Sequence, residues 1–120
     1  MNSIGFKGHY YETRHVSHEY KSKSYKYVDE ICSYMQSKKV QKKIAELPED
    51  SVIFAESCSP NYEHIFDILY LPYVESDKKI PQEELDKYAV LEVTADSVKQ
   101  GDFKKTINNF LDGILSLYSK

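Results

Sequence analysis

Several acidic side chains lie inside the most hydrophobic stretches of this sequence, where they are suited to holding a cation. Glu56, Asp67 and Glu92 each fall within a run of mostly apolar residues. A carboxylate that faces a covered surface must be paired, hydrogen-bonded or neutral. Tyrosine hydroxyls are natural partners, and tyrosine is the compositional outlier, with 11 Tyr against 5 Phe and no Trp. These residues predict a pocket with aromatic walls and an acidic floor, suited to cationic or amphipathic ligands.

The phenols that we expect beside these acids are Tyr10, Tyr70 and Tyr88, which fall in predicted strands. A phenol has an apolar body and a polar tip, so it can line a cleft while its hydroxyl faces a carboxylate or a ligand. Two simpler interpretations stay open. The tyrosines can instead shield a small core, and each acid can face water on the uncovered side of a half-open sheet.

Histidine and cysteine residues give weaker signals. His15 and His18 form an H-x-x-H pattern, but a metal site needs two more ligands at suitable geometry. Two exposed imidazoles in a polar loop explain the pattern as well. Cys32 and Cys58 fit no metal spacing, and an intracellular, reduced protein is the simplest interpretation. We therefore predict no metal site and no cofactor.

A catalytic site is also weakly supported by the sequence. Ser57, His64 and Asp67 provide the residue types of a hydrolase triad, but no nucleophile elbow frames the serine. Cys58 with His64 is no better, because an activated thiolate needs a microenvironment that the sequence does not show. No glycine-rich phosphate loop is present. The sequence thus predicts a binding protein rather than an enzyme.

Length and charge bound the remaining classes of function. At 120 residues the chain is expected to form one domain, residues 1–120. A formal net charge of −3 has the wrong sign for a duplex binder, so no nucleic-acid partner is expected. No apolar run approaches the roughly 18 residues of a membrane helix, and the first residues lack a signal-peptide core. We expect a cytoplasmic protein with no membrane partner.

The first half of the chain predicts a strand, a broken helix and a second strand. Residues 4–15 alternate as a strand. Ser24 is expected to cap a helix whose apolar stripe slips at Ser37, which predicts a break there before the helix ends ahead of Pro48. Residues 51–57 form a second strand. The helix stripe consists of Val28, Ile31, Cys32, Met35, Val40, Ile44 and Leu47.

The second half predicts two further strands around a polar connection. Residues 62–74 are apolar on both faces, which is typical of a central strand covered on both sides. Residues 75–87 are too polar to pack and are expected to form a loop. Residues 88–96 form the last strand, with Tyr88 and Glu92 on the same face.

The last segment, residues 97–120, contains the clearest helix of the chain, with Asp102 as its predicted N-cap. Gly113 inside it predicts a close approach of another element. Its stripe consists of Phe103, Ile107, Phe110, Leu111, Ile114, Leu115 and Tyr118. The order β-α-β-β-β-α predicts an α+β fold, an antiparallel four-stranded sheet with two main helices on one face.

Three segments carry a resemblance to a known family. These are "IGFKGHYYE", "FDILYLPYVES" and, after a loop, "KYAVLEVTAD" followed by an amphipathic helix. Together they resemble the bacterial GyrI-like (gyrase-inhibitor-like) effector-binding domains over residues 4–118. The resemblance implies two β-α-β-β units that form one sheet, with helices behind it and a ligand cleft in front. In the family this cleft takes lipophilic or cationic small molecules through aromatic residues and an acid.

The sequence departs from that family pattern in its second unit, which stops after its helix, so the last hairpin is missing. The expected function is non-enzymatic binding of small cationic or lipophilic ligands through Tyr10, Tyr70, Tyr88 and the three acids. The alternative is a protein–protein adaptor, such as an antitoxin, an immunity protein or a chaperone of a secreted toxin. In that case a strand edge or the open face meets another chain, and a homodimer is one form of this.

Overall fold

A computed structural model describes most of the chain, covering residues 8–14, 25–57, 64–72 and 80–118. Its elements are, in chain order, β1 (His9–Thr13), α1 (Tyr25–Met35), α2 (Lys38–Ala45), β2 (Val52–Ser57), β3 (His64–Leu71), α3 (Gln82–Asp86), β4 (Val90–Thr94), α4 (Ala95–Gln100) and α5 (Phe103–Tyr118). The fold is α+β, as the sequence predicts. Residues 4–7 of the predicted first strand, His15, His18 and Cys58 lie outside the described residues.

The four strands form one sheet in the order β1-β2-β3-β4, and this sheet is mixed. β2 with β3 and β3 with β4 pair antiparallel, whereas β1 and β2 pair parallel. The prediction of an antiparallel sheet is therefore wrong for its first pair. The reason is the connection: α1 and α2 lie between β1 and β2, and a helical crossover joins parallel neighbours, whereas a hairpin joins antiparallel ones.

Four of the helices, α1, α2, α4 and α5, pack together on one face of this sheet. α1 contacts α4, and α2 contacts α5. The hydroxyl oxygens of Tyr70 in β3 and Tyr118 in α5 are 2.8 Å apart, and Lys43 Nζ in α2 donates to Asp112 Oδ1 in α5 at 2.8 Å. These four helices thus share a face, but the described residues form five helices rather than the two main helices predicted.

The core lies between this face and the helices. Ile53, Ala55, Ile68 and Val93 form its sheet side and are buried. The helix stripes that the sequence predicts form its other side. Their buried members are Val28, Ile31, Cys32, Met35, Val40, Ile44, Leu47, Phe103, Ile107, Phe110, Leu111 and Ile114. Helical spacing of apolar residues was therefore a sound guide to this half of the core.

The predicted helix break near Ser37 is confirmed. α1 ends at Met35 and α2 begins at Lys38, with Ser37 as the N-cap of α2 in an extended conformation. The Ser37 hydroxyl accepts from the Val40 amide at 3.5 Å and donates to the Tyr34 carbonyl at 2.6 Å. This single side chain therefore joins the end of one helix to the start of the next.

Two short helices were not predicted. α3 lies in the polar segment that was expected to be a loop; Pro81 precedes it, and acidic residues in its first turn favour its N-terminus. α4 begins after Thr94, whose hydroxyl accepts from the Ser97 amide at 3.1 Å. It ends at Gly101, whose φ of 83° is the left-handed conformation that favours glycine. Asp102, the predicted N-cap, directly precedes α5.

β3 is covered on one face by the described residues, not on both. Leu69 is half-buried and Leu71 is 49% exposed. The apolar run has two causes: Leu69 and Leu71 lie on the uncovered face, and a register shift against β4 between His64 and Phe66, as at a β-bulge, lets the consecutive Ile65 and Phe66 both be buried. Two adjacent apolar residues here serve one core.

Candidate functional site

The face of the sheet opposite the helices, called the open face below, is where the three acids lie. Strand alternation and the strand pairing place side chains from all four strands on it. Each of these described side chains is partly or largely exposed, whereas the residues between them on the helix side are mostly buried. The open face is thus the larger accessible surface that the sheet presents to a ligand.

The acids form one continuous row across the open face. Glu56 of β2 pairs directly with Asp67 of β3, which pairs with Glu92 of β4, and Thr13 of β1 continues the row. We call these four residues the acidic row. Side chains directly opposite one another have Cβ atoms about 4.5–5.5 Å apart, and like charges in such positions destabilise a sheet. The row therefore favours the binding of a cation.

His64 joins the acidic row because of the β-bulge. Residues three apart face opposite sides of a regular strand, so His64 and Asp67 would not meet in one. The register shift between His64 and Phe66 brings them together. Nε2 of the imidazole lies 3.1 Å from Asp67 Oδ1, and its Nδ1 lies 3.4 Å from Glu92 Oε2. One imidazole thus contacts carboxylates from two strands.

A row of apolar side chains lies beside the acidic row, two residues away along each strand. We call it the apolar row, and its members pair in the order Tyr11, Phe54, Leu69 and Val90. Tyr11 is 56% exposed and Val90 is 47% exposed. The pair Val52 and Leu71 extends this apolar half further from the acids. The open face therefore has an apolar half and an acidic half.

Tyr10 lies on the helix side of the sheet, away from the three acids, because it pairs with the buried Ile53. Its hydroxyl donates to Glu12 Oε1 at 2.5 Å. Burial, followed by this hydrogen bond, raises the pKa of Tyr10. Gln36 and Arg14 also donate to the Glu12 carboxylate. The sequence missed Glu12 as the partner of Tyr10, although strand alternation places residues 10 and 12 on one face.

Tyr70 and Tyr88 also lie away from the acidic row. Tyr70 is buried in the core and shares a hydrogen bond with Tyr118. Tyr88 packs on α5: a Cβ added at Gly113 would lie 2.5 Å from Tyr88 Cε1, and its ring is 6.1 Å from that of Phe110. β4 begins after Tyr88, so strand alternation does not apply to it. The described residues therefore do not assemble the predicted pocket of phenols and acids.

Of the catalytic groupings considered from the sequence, the triad of Ser57, His64 and Asp67 is not assembled, and the pair of Cys58 with His64 lies partly outside the described residues. Ser57 pairs with Phe66, on the face opposite to that of His64 and Asp67. Cys32 is buried, and burial raises the pKa of its thiol to about 12. A thiol of this kind is inert rather than nucleophilic near neutral pH.

A second concave surface lies on the helix layer, between α1 and the start of α5. It is an open groove of about 520 Å³, lined by Asp29, Glu30, Ser33, Tyr34, Ser37, Phe103 and Lys104. Its residue types resemble the predicted pocket. However, Lys104 Nζ lies 5.5 Å from the centre of the Tyr34 ring and 5.9 Å from that of Phe103. The protein's own lysine thus occupies the cation position over these rings.

Part of the open face could have been predicted from the sequence. Phe54, Leu69 and Val90 each lie two residues from one of the acids, so strand alternation alone groups them with the acidic row. Tyr11 could be added only with the parallel pairing of β1. His64 could not be found in this way, because its position depends on the β-bulge.

No protein-family model, curated protein or solved structure matches this chain. Among the described residues, no helix is both long enough and apolar enough to cross a lipid bilayer. The function must therefore be argued from the geometry of the open face itself.

Proposed function

We propose that the protein is a non-enzymatic binding module whose open face binds small molecules that combine a cationic group with an apolar body. The observation that carries this proposal is the contact of two rows of opposite character on one accessible face. The cation lies on the acidic row, and the body lies along Phe54, Leu69 and Val90. The resemblance of the sequence to GyrI-like domains implies the same class of ligand.

The acidic end combines partial burial with accessibility. The side chain of Asp67 is 20% exposed, whereas that of Glu92 is 59% exposed. Two unit charges 4 Å apart attract by about 1 kcal/mol in bulk water and by about 4 kcal/mol near a protein surface. Burial of apolar ligand area adds about 25 cal/mol per Å². Since a sheet face encloses a ligand less than a deep pocket does, we expect micromolar to millimolar affinity.

The helix-layer groove is the weaker candidate for such ligands. A cationic ligand there must displace Lys104 from the rings of Tyr34 and Phe103. In addition, Arg14 Nη1 donates to Asp29 Oδ1 at 2.6 Å, which offsets one of the groove's two acids. An incoming cation therefore meets less negative charge in the groove than on the acidic row.

The proposal is tested by titrating the protein with a cationic aromatic dye and with an anionic dye of similar size, and by following dye fluorescence. We expect saturable binding of the cationic dye only. Asp67→Asn and Glu92→Gln should each weaken it about threefold or more, because each removes one charge from the row. Leu69→Ser should weaken it through lost apolar contact.

The matched control is Glu46→Gln, which removes the same charge at the end of α2, an exposed position on the helix layer. It should leave dye binding unchanged. An equal loss of affinity for the cationic dye in Glu46→Gln and in Glu92→Gln would show that the net charge of the protein, not the acidic row, attracts the dye. Absence of saturable binding at millimolar dye would contradict the proposal.

The exposed apolar half supports a second candidate, a protein–protein adaptor. Tyr11, Leu71 and Val90 are exposed large hydrophobic residues. Among the described residues, β1 and β4 are the two edge strands of the sheet. An edge strand offers backbone groups for strand addition by another chain or by a second copy.

Light scattering and hydrogen exchange separate the two candidates. The adaptor function predicts concentration-dependent association or a co-purifying protein, together with edge amides that gain protection in the complex. Leu71→Ser should reduce this association. A monomer at high concentration, with no co-purifying chain and with edge amides already protected, would leave the small-molecule function as the better explanation.

A further inference from the structure

We propose that His64, Asp67 and Glu92 form a binding site for a divalent transition-metal ion such as Zn²⁺. The donor atoms of these three residues all lie within 4.8 Å of one another. This proposal goes beyond the binding of an organic ligand and does not depend on it. It concerns the end of the acidic row that lies at the bulged part of β3.

One pair of donor atoms, from His64 and Asp67, lies at about the spacing that a shared ion needs, and a donor of Glu92 is nearby. Zn²⁺ binds nitrogen and carboxylate oxygen at about 2.0–2.2 Å, so neighbouring ligands in a tetrahedral site lie roughly 3.3–3.6 Å apart. His64 Nε2 lies 3.1 Å from Asp67 Oδ1, and His64 Nδ1 lies 3.4 Å from Glu92 Oε2. An ion held by His64 Nε2 and Asp67 gains Glu92 as a ligand only when the exposed Glu92 side chain moves from the Nδ1 side of the ring to the Nε2 side.

The register shift between His64 and Phe66 is what assembles this cluster. It brings His64 to the two acids, which a regular strand would prevent. Bulges are over-represented next to functional sites, where they re-aim a side chain. An imidazole is the side chain whose addition converts a pair of carboxylates into a set of ligands that suits transition metals rather than Mg²⁺ or Ca²⁺.

The charge of the row favours an ion of this kind. Glu56, Asp67 and Glu92 are neighbours on three strands, and among the described residues the imidazole of His64 lies against Asp67 and Glu92. A divalent cation offsets the repulsion between them. Three protein ligands leave coordination positions for water or a ligand, as in open zinc sites.

The experiment titrates the full-length protein with Zn²⁺ by calorimetry and with Co²⁺ by visible absorption, using Mg²⁺ and Ca²⁺ as comparison ions. We expect one Zn²⁺ or Co²⁺ per chain and much weaker binding of Mg²⁺ and Ca²⁺. His64→Ala and Glu92→Gln should each weaken Zn²⁺ binding about tenfold or more. Circular dichroism checks that each variant is folded. If His64→Ala does not fold, Glu92→Gln alone provides the test, because Glu92 is exposed and its substitution should not disturb the core.

Two controls use the other histidines of the chain. His9→Ala removes an exposed imidazole of the open face that lies 3.6 Å from Asp50, outside the cluster. The double variant His15→Ala/His18→Ala removes the H-x-x-H pattern. Both should bind Zn²⁺ as the unchanged protein does. Binding that is lost in the double variant but kept in His64→Ala and Glu92→Gln, or no stoichiometric binding at millimolar metal, would overturn the proposal.

The two proposals for the open face can fail separately. Zn²⁺ binding without cationic-dye binding would support the metal site and contradict the proposed function. Dye binding without Zn²⁺ or Co²⁺ binding would support the proposed function and contradict the metal site. Where both bind, Zn²⁺ should displace the cationic dye, because both use Asp67 and Glu92.

Discussion

The Glu12 carboxylate accepts hydrogen bonds from two neighbouring side chains and forms an ion pair with a third. Tyr10 donates to it, Gln36 donates to both of its oxygens, and Arg14 Nε lies 3.3 Å from Oε2. Burial alone would raise the pKa of Glu12, but the hydrogen bonds from Tyr10 and Gln36 and the Arg14 guanidinium outweigh it. The pKa of Glu12 therefore lies below its usual range.

We expect Glu12→Gln to destabilise the protein by about 1–3 kcal/mol at neutral pH, as for lost hydrogen bonds to a charged group. A carboxylate with a lowered pKa stabilises the folded state above its unfolded pKa of about 4.3, and loses this effect as the pH falls through its folded pKa. Urea unfolding at about pH 7 and about pH 3 should thus show a smaller difference between the two proteins in acid. A difference that does not change with pH would contradict this role.

Cys32 gives a second test at the scale of one residue. Burial raises the pKa of its thiol to about 12, so the reactive thiolate is scarce near neutral pH. In a Cys58→Ser background, we expect iodoacetamide at about pH 8 to react with the folded protein at least about 100-fold more slowly than with the unfolded chain. Comparable rates would show that Cys32 is accessible.

At the scale of elements, α5 is the longest described helix and contributes five buried residues to the core. Phe110 is buried in its stripe, whereas the adjacent Asn109 is exposed. Phe110→Ala should lower the free energy of unfolding by about 3–5 kcal/mol, because it removes a buried aromatic ring and leaves a cavity. Asn109→Ala should change it by less than about 0.5 kcal/mol. Chemical denaturation measures both, and equal effects would mean that this stripe is not core.

Sequence patterns predicted most of these elements, and their failures have physical reasons. Apolar spacing located the core face of the helices and the break at Ser37, because both are local properties of the chain. It failed for Tyr88, since the start of β4 depends on the preceding helix α3. The meeting of His64 with Asp67 depends on a bulge set by strand pairing, which no local pattern encodes.

At the scale of the whole molecule, the structure separates its phenols from its acids. Tyr70 lies in the core on the helix side of the sheet, and Tyr10 and Tyr88 pack against that core. The open face keeps Glu56, Asp67 and Glu92. The sequence therefore predicted that these acids lie together but not which aromatic residues accompany them, because the faces of four strands become known only with their register.

The measurement that tests the central claim most directly is chemical-shift mapping of isotope-labelled protein during titration with the cationic aromatic dye. We expect the largest backbone shifts to cluster on the open-face strands, around Glu56, Asp67 and Glu92, and the double variant Asp67→Asn/Glu92→Gln to abolish them. Shifts that cluster instead around Tyr34 and Phe103, in the helix-layer groove, would contradict the claim.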